Sequence, residues 1–165
     1  MKFPKSTDCF PHWIRRGIYF WYDMTTPSIY RDLLLEHARN PKNSGRLECP
    51  DLRASAFNPL CGDELELTLA VSEGTIQDCK TQVRGCSICQ ASASMMSELI
   101  LTKTLQEAEK ISQMFTESLR KDTEEIAESL DFLLPLIALK KHRSRIKCMK
   151  LAWDALEDCA RQNQS

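Results

Sequence analysis

The chain has 165 residues, 42% hydrophobic and 27% charged, which is enough for one domain with a modest core. Its 22 basic and 23 acidic residues leave a formal net charge of -1, so no global bias draws it to nucleic acid. The longest near-apolar stretch, 132–139, contains Pro135 and is far too short to cross a bilayer, so no membrane partner is expected.

Residues 1–23 carry two prolines, several bulky aromatics and no clear period. They are expected to be a poorly structured extension ahead of a single metal-binding domain over 24–165. Lys2, Lys5, Arg15 and Arg16 lie there without the apolar core or cleavage site of a secretory signal, so a cytoplasmic location is expected. Thr26 or Ser28 is placed to cap a first helix, whose face Ile29, Leu33, Leu34 and His37 runs on to Arg39. His37 reads as a surface or packing residue of that helix. Asn40, Pro41 and Gly45 then make a turn.

A first strand is expected over 53–57. The clearest one follows, with Leu65, Leu67, Leu69 and Val71 alternating against Glu64, Glu66, Thr68 and Ala70, a period of two with one wet face. Ser72, Glu73 and Gly74 form a turn, and 75–83 returns antiparallel. Helices are expected over 87–101, 105–120, 123–130 and 145–160. Strands first and helices afterwards give an α+β domain, with a three-stranded antiparallel sheet packed by about five helices.

Eight cysteines are the unusual feature. In a reducing compartment, clustered cysteines bind metal or react more often than they form disulfides. Three segments set one at an element boundary. Cys61 and Asp63 flank Gly62, whose freedom permits a tight turn that points both into one space. Cys86 follows Gly85 at the start of a helix, where the macrodipole favours thiolate. Cys148 is placed at the start of the last helix, where the same dipole acts and Arg145 and Lys147 add positive charge. Three thiolates and one carboxylate complete a tetrahedral zinc site, or hold one edge of an iron–sulfur cluster. An Asp is a more exchangeable ligand than a fourth thiolate, which suits a site that must open. Cys79 and Cys159 read as core residues, and Cys9 and Cys49 as incidental ones. Cys89 makes a C-x-x-C pair with Cys86, but no parallel βαβ pattern precedes it, so core packing is the stronger reading.

From about Tyr30 to Leu156 the sequence resembles the U-type iron–sulfur assembly proteins, the family of SufU, IscU and the NifU N-terminal domain. The resemblance rests on His37-Ala-Arg-Asn-Pro41, Asn58-Pro-Leu-Cys-Gly-Asp63, Gly85-Cys-Ser-Ile-Cys-Gln-Ala-Ser-Ala-Ser-Met-Met96 and Arg145-Ile-Lys-Cys-Met-Lys-Leu-Ala-Trp153. It implies metal ligands at Cys61, Asp63, Cys86 and Cys148. Lys147 stands before the last cysteine where IscU-type scaffolds carry His, and Lys140-Lys-His-Arg-Ser144 replaces their Leu-Pro-Pro-Val-Lys segment. The stretch from Thr102 to about Asp122 looks like the insertion that marks the SufU branch. That branch implies a zinc-bound sulfur acceptor, a sulfurtransferase-like partner of a PLP-dependent, SufS-like cysteine desulfurase, passing sulfur to a downstream scaffold or to apo-proteins. It points to Cys61 as acceptor, while resemblance to IscU-type proteins makes Cys148 the alternative; the charge of Arg145 is placed to steer the anionic sulfur. The other reading is a scaffold on which a 2Fe-2S cluster is built and transferred. A purely structural zinc domain is a third.

Overall fold

A computed structural model of the chain describes residues 27–121 and 126–164. The extension read into residues 1–23 lies outside the described residues. Helix α1 (Ser28–Arg39) begins after Pro27, which occupies the cap position without a side-chain hydrogen bond. Ser28 is therefore the first helical residue rather than its cap. Leu34 and His37 are the buried positions of α1. His37 Nδ1 lies 2.8 Å from Ser94 Oγ, and its ring meets Phe132 edge-on at 5.9 Å. Burial lowers its pKa below the ordinary histidine value. His37 is a packed histidine that ties α1 to the core.

Strands β1 (Leu52–Asn58), β2 (Asp63–Ser72) and β3 (Thr75–Arg84) form an antiparallel meander in that order. Glu73 and Gly74 both take positive φ, 51° and 75°, the two-residue turn that suits the twist of a hairpin. Leu65, Leu67 and Leu69 point into the core, as their alternation predicts. The opposite face is not wet throughout. Thr68 is buried, and the Leu47 backbone N–H donates to its Oγ1 at 3.1 Å. The alternation also slips at its end, where a register shift between Ala70 and Val71 leaves Val71 half-buried.

Helix α2 (Ser87–Ile100) is buried nearly all round. Its small residues Ala91, Ser92, Ala93 and Ser94 let neighbouring elements approach closely, and its hydroxyls are satisfied. Ser92 Oγ donates to the Met149 carbonyl at 2.6 Å and accepts from Trp153 Nε1 at 3.1 Å. Ser94 Oγ accepts from the Lys42 N–H at 2.8 Å. Helix α3 (Leu105–Arg120) starts on a capping box between Thr104 and Glu107. Its Phe115 packs on Trp153 with ring centroids 4.7 Å apart.

The helix expected over 123–130 takes another form. Residues 122–125 lie outside the described residues, and Ile126 and Ala127 are not helical. Two 3-10 turns, Glu128–Leu133 and Ala138–Lys141, flank the one-turn α4 (Leu134–Ile137). The reason is visible in the buried leucines, Leu130, Leu133, Leu136 and Leu139, whose spacing of three is the 3-10 period. The last helix, α5 (Arg143–Gln164), packs on β1, α2 and α3 and starts two residues ahead of expectation. No helix among the described residues is long and apolar enough to cross a membrane.

Candidate metal centre

The site forms at one end of the sheet. Asn58 closes β1 and Asp63 opens β2, and the two are paired in register, so residues 59–62 make a tight connection. Gly62 there has φ +71°, and its N–H donates to the Asn58 carbonyl at 2.8 Å. This is the turn that glycine was expected to permit. It brings Cys61 Sγ to 2.9 Å from Asp63 Oδ2. Helix α5 supplies Cys148, whose sulfur lies 3.4 Å from that of Cys61. Cys61, Asp63 and Cys148 hold their ligand atoms within 4.8 Å of one another. Cys86 is the N-cap of α2 and lies outside that tightest group. Its sulfur is 3.6 Å from Asp63 Oδ2, and its thiol also bonds to Cys148. All four sequence-expected ligands are thus neighbours, with Asp63 at the centre.

Gly85 acts here through space rather than through dihedral freedom. A Cβ at this position would sit 2.8 Å from Asp63 Oδ1 and 2.9 Å from its Cγ. The carboxylate is 2% exposed, and Oδ1 accepts the Cys86 backbone N–H at 3.0 Å. Gly85→Ala should therefore displace Asp63 and cost about 1–3 kcal/mol by overpacking. Metal content per chain should fall below that of the wild-type protein. Wild-type metal content in Gly85→Ala would show that the close approach does not matter.

Protonation follows burial more than helix dipoles. Burial pushes the Cys86 thiol up, although the Cys89 and Ile88 backbone N–H groups pull the other way. Cys148 is pushed further up, first by burial and then by its bonds with Asp63 and Cys61. It sits in the second turn of α5, beyond the free N–H groups of the helix end, so the dipole effect expected there is missing. Burial would raise the Asp63 carboxyl, but bonds from Cys61, Cys148 and Cys86 leave it below its ordinary value.

The donor set fits a bound metal. Zn–S bonds of about 2.3 Å and Zn–O bonds of about 2.1 Å give tetrahedral edges of about 3.6–3.8 Å. The edges of 2.9 and 3.4 Å among Cys61, Asp63 and Cys148 need outward movements of tenths of an ångström, while Cys86, 3.6 Å from Asp63 but outside that group, must draw in. Two sulfurs and one carboxylate, with Cys86 adjacent, suit zinc or a thiolate-held iron centre.

The remaining candidates are placed as follows. Cys79, Cys89 and Cys159 are fully buried, and burial pushes Cys79 and Cys159 up to about 12. Cys49 is exposed, and Cys9 lies outside the described residues. Arg145 is half-buried one helical turn ahead of Cys148. One residue escaped the sequence reading. Asn58 is 4% exposed and donates through Nδ2 to Cys61 Sγ at 2.9 Å. Its place three residues before Cys61, paired in register with Asp63, becomes meaningful only once the strands are aligned.

The chain is similar to known proteins. The NifU-like N-terminal domain family matches residues 29–164. The zinc-dependent sulfurtransferase SufU of Bacillus subtilis is 32% identical over 136 residues, 82% of this chain and 92% of that protein. The iron–sulfur cluster assembly scaffold protein IscU of Azotobacter vinelandii is 35% identical, over 80% of this chain and 91% of its own. Among solved structures, the N-terminal part of a nitrogen-fixing NifU-like protein from Brucella abortus superposes with a TM-score of 0.70 at 26% identity, covering 82% of this chain and 94% of that one. With the fold and these relatives in agreement, the chain belongs to the NifU-like N-terminal domain family of iron–sulfur cluster assembly proteins, which includes SufU and IscU.

Proposed function

We propose that this protein is a zinc-binding sulfur acceptor, held by Cys61, Asp63, Cys86 and Cys148, which takes sulfur from a PLP-dependent cysteine desulfurase and hands it on in iron–sulfur cluster assembly. The observation that carries this reading is the contrast between the two sulfurs 3.4 Å apart: Cys61 is exposed and Cys148 is 1% exposed. A partner's persulfide reaches Cys61 first. Leu60 and Phe57, 75% and 59% exposed, offer that partner apolar surface beside the thiol.

Bound zinc would keep its cysteine ligands deprotonated at neutral pH, against the upward push of burial. The sulfur of Cys61 attacks the outer sulfur of the desulfurase persulfide. A bond forms between Cys61 Sγ and that outer sulfur, and the S–S bond to the enzyme's cysteine breaks. The enzyme's cysteine leaves as a thiolate and takes up a proton, so no external oxidant or reductant is needed. Asp63 is the weaker ligand beside Cys61 and favours exchange. Arg145, one turn from Cys148, supplies positive charge for the anionic sulfur. The site suits a cytoplasmic protein, where thiols stay reduced.

The scaffold reading uses the same ligands and is favoured by the 35% identity to the Azotobacter vinelandii IscU protein. One preparation separates the two. Protein purified without oxygen should hold about one zinc per chain and should accelerate cysteine turnover by the desulfurase. Absence of zinc, with a visible cluster absorbance that persists through turnover, would establish the scaffold instead.

A further inference from the structure

Asn58 makes a set of contacts that a turn residue alone does not need. Its Oδ1 accepts the Leu60 backbone N–H at 3.2 Å, which fixes which end of the amide faces which way. The NH₂ group therefore faces the sulfurs. It donates to Cys61 Sγ at 2.9 Å and reaches Cys148 Sγ at 3.8 Å, so its two hydrogens address the two cysteines. The side chain is 4% exposed, and it closes β1 opposite Asp63. It therefore sits on the ordered strand end rather than on the connecting loop, and solvent does not compete for its N–H groups.

We propose that Asn58 is a positioning residue of the metal centre, donating to the Cys61 and Cys148 sulfurs so that both stay gathered and firmly held when a metal is bound. This rests on the metal-centre reading above. An N–H bond to a thiolate stabilises its charge and fixes the direction in which the sulfur points, so the sulfur is held in place for the metal. Cys61 has the Asn58 donor at 2.9 Å, while the second N–H is far looser on Cys148. The restraint falls most heavily on the exposed cysteine, the one that must leave to accept sulfur. Asn58 thus sets how readily Cys61 is released.

Cobalt(II), which gives sulfur-to-metal charge-transfer bands, is the probe. Wild type, Asn58→Ser and Asn58→Asp are each titrated with cobalt, and the metal-free proteins are melted. Both substitutions keep an oxygen that can accept the Leu60 N–H, so the turn survives; ionised Asp has no proton to donate, and Ser offers one O–H on a shorter side chain in place of two N–H groups. They differ in charge, so a change common to both reports the lost donor. Cobalt affinity is expected to fall about 10- to 100-fold in each, the usual effect of removing an outer-shell partner. The charge-transfer band should move to longer wavelength, because undonated thiolates hold their electrons less tightly. The metal-free melting temperatures should stay at the wild-type value. Bands at the wild-type wavelength in both variants would overturn the proposal, even with weakened affinity, because a turn role alone explains weaker binding. A wild-type protein with no such band at all would instead refute the metal-centre reading, and this proposal with it.

Discussion

Cys61→Ser is expected to abolish persulfide on this protein when it is incubated with a cysteine desulfurase and cysteine, while Cys89→Ser leaves it at the wild-type level. Cys61 is exposed on a four-residue connection, its sulfur 2.9 Å from the Asp63 carboxylate and from the Asn58 amide. Cys89 is 0% exposed inside α2, and burial, joined by the Asp63 charge, pushes its thiol far up. A protonated, buried thiol is a poor nucleophile. Ser at position 61 retains an oxygen ligand but cannot form a persulfide. Mass spectrometry of the intact chain, counting added sulfur atoms and mapping them to peptides, decides the matter. Wild-type persulfide on Cys148 in the Cys61→Ser protein would make the buried cysteine the first acceptor. Loss in Cys89→Ser, with retention in Cys61→Ser, would move the reactive centre to the C-x-x-C pair.

Removing the metal should lower the melting temperature by about 8–16 °C. The four proposed ligands come from three segments far apart in sequence: the β1–β2 connection with the first residue of β2, the N-cap of α2 and the second turn of α5. The unfolded chain does not gather them, so metal binding favours the folded state. Free metal a thousandfold above its Kd contributes about 4 kcal/mol, and 1 kcal/mol shifts the midpoint by about 2–4 °C for a chain of this size. Calorimetry before and after chelation, with metal removal verified by elemental analysis and then reversed with zinc, measures this. A melting curve that does not move after verified removal would show that the cluster makes no contribution to folding.

Much of the molecule was legible from local pattern. The alternation from Glu64 to Val71 marked β2, whose inward leucines are fully or almost fully buried. The helix expected over 105–120 is α3, with the same bounds. The boundary positions of Cys61, Cys86 and Cys148 marked the cluster, because turns and helix starts are where a chain can point side chains into a shared space. Local pattern erred where period or phase mattered. The leucines at 130, 133, 136 and 139 were read in part as an α-helix, and the start of α5 was set two residues late. That small shift moved Cys148 from a helix end, where free N–H groups assist a thiolate, to a second turn, where burial dominates.

The sequence by itself determined most of the elements, the order of the meander and which residues are candidate metal donors, because periodicity, turn chemistry and donor type are local properties. Only the tertiary structure decided how those donors differ. Strand register set Asn58 against Asp63 and so aimed an amide at two sulfurs. The meeting of the β3 end with the start of β2 gave Gly85 its spatial role, since a Cβ there would strike a carboxylate 22 positions away in sequence. Packing of α5 against the sheet buried Cys148 and left Cys61 open. Exposure, close approach and hydrogen-bond direction depend on which distant segments meet, and spacing along one chain does not encode them.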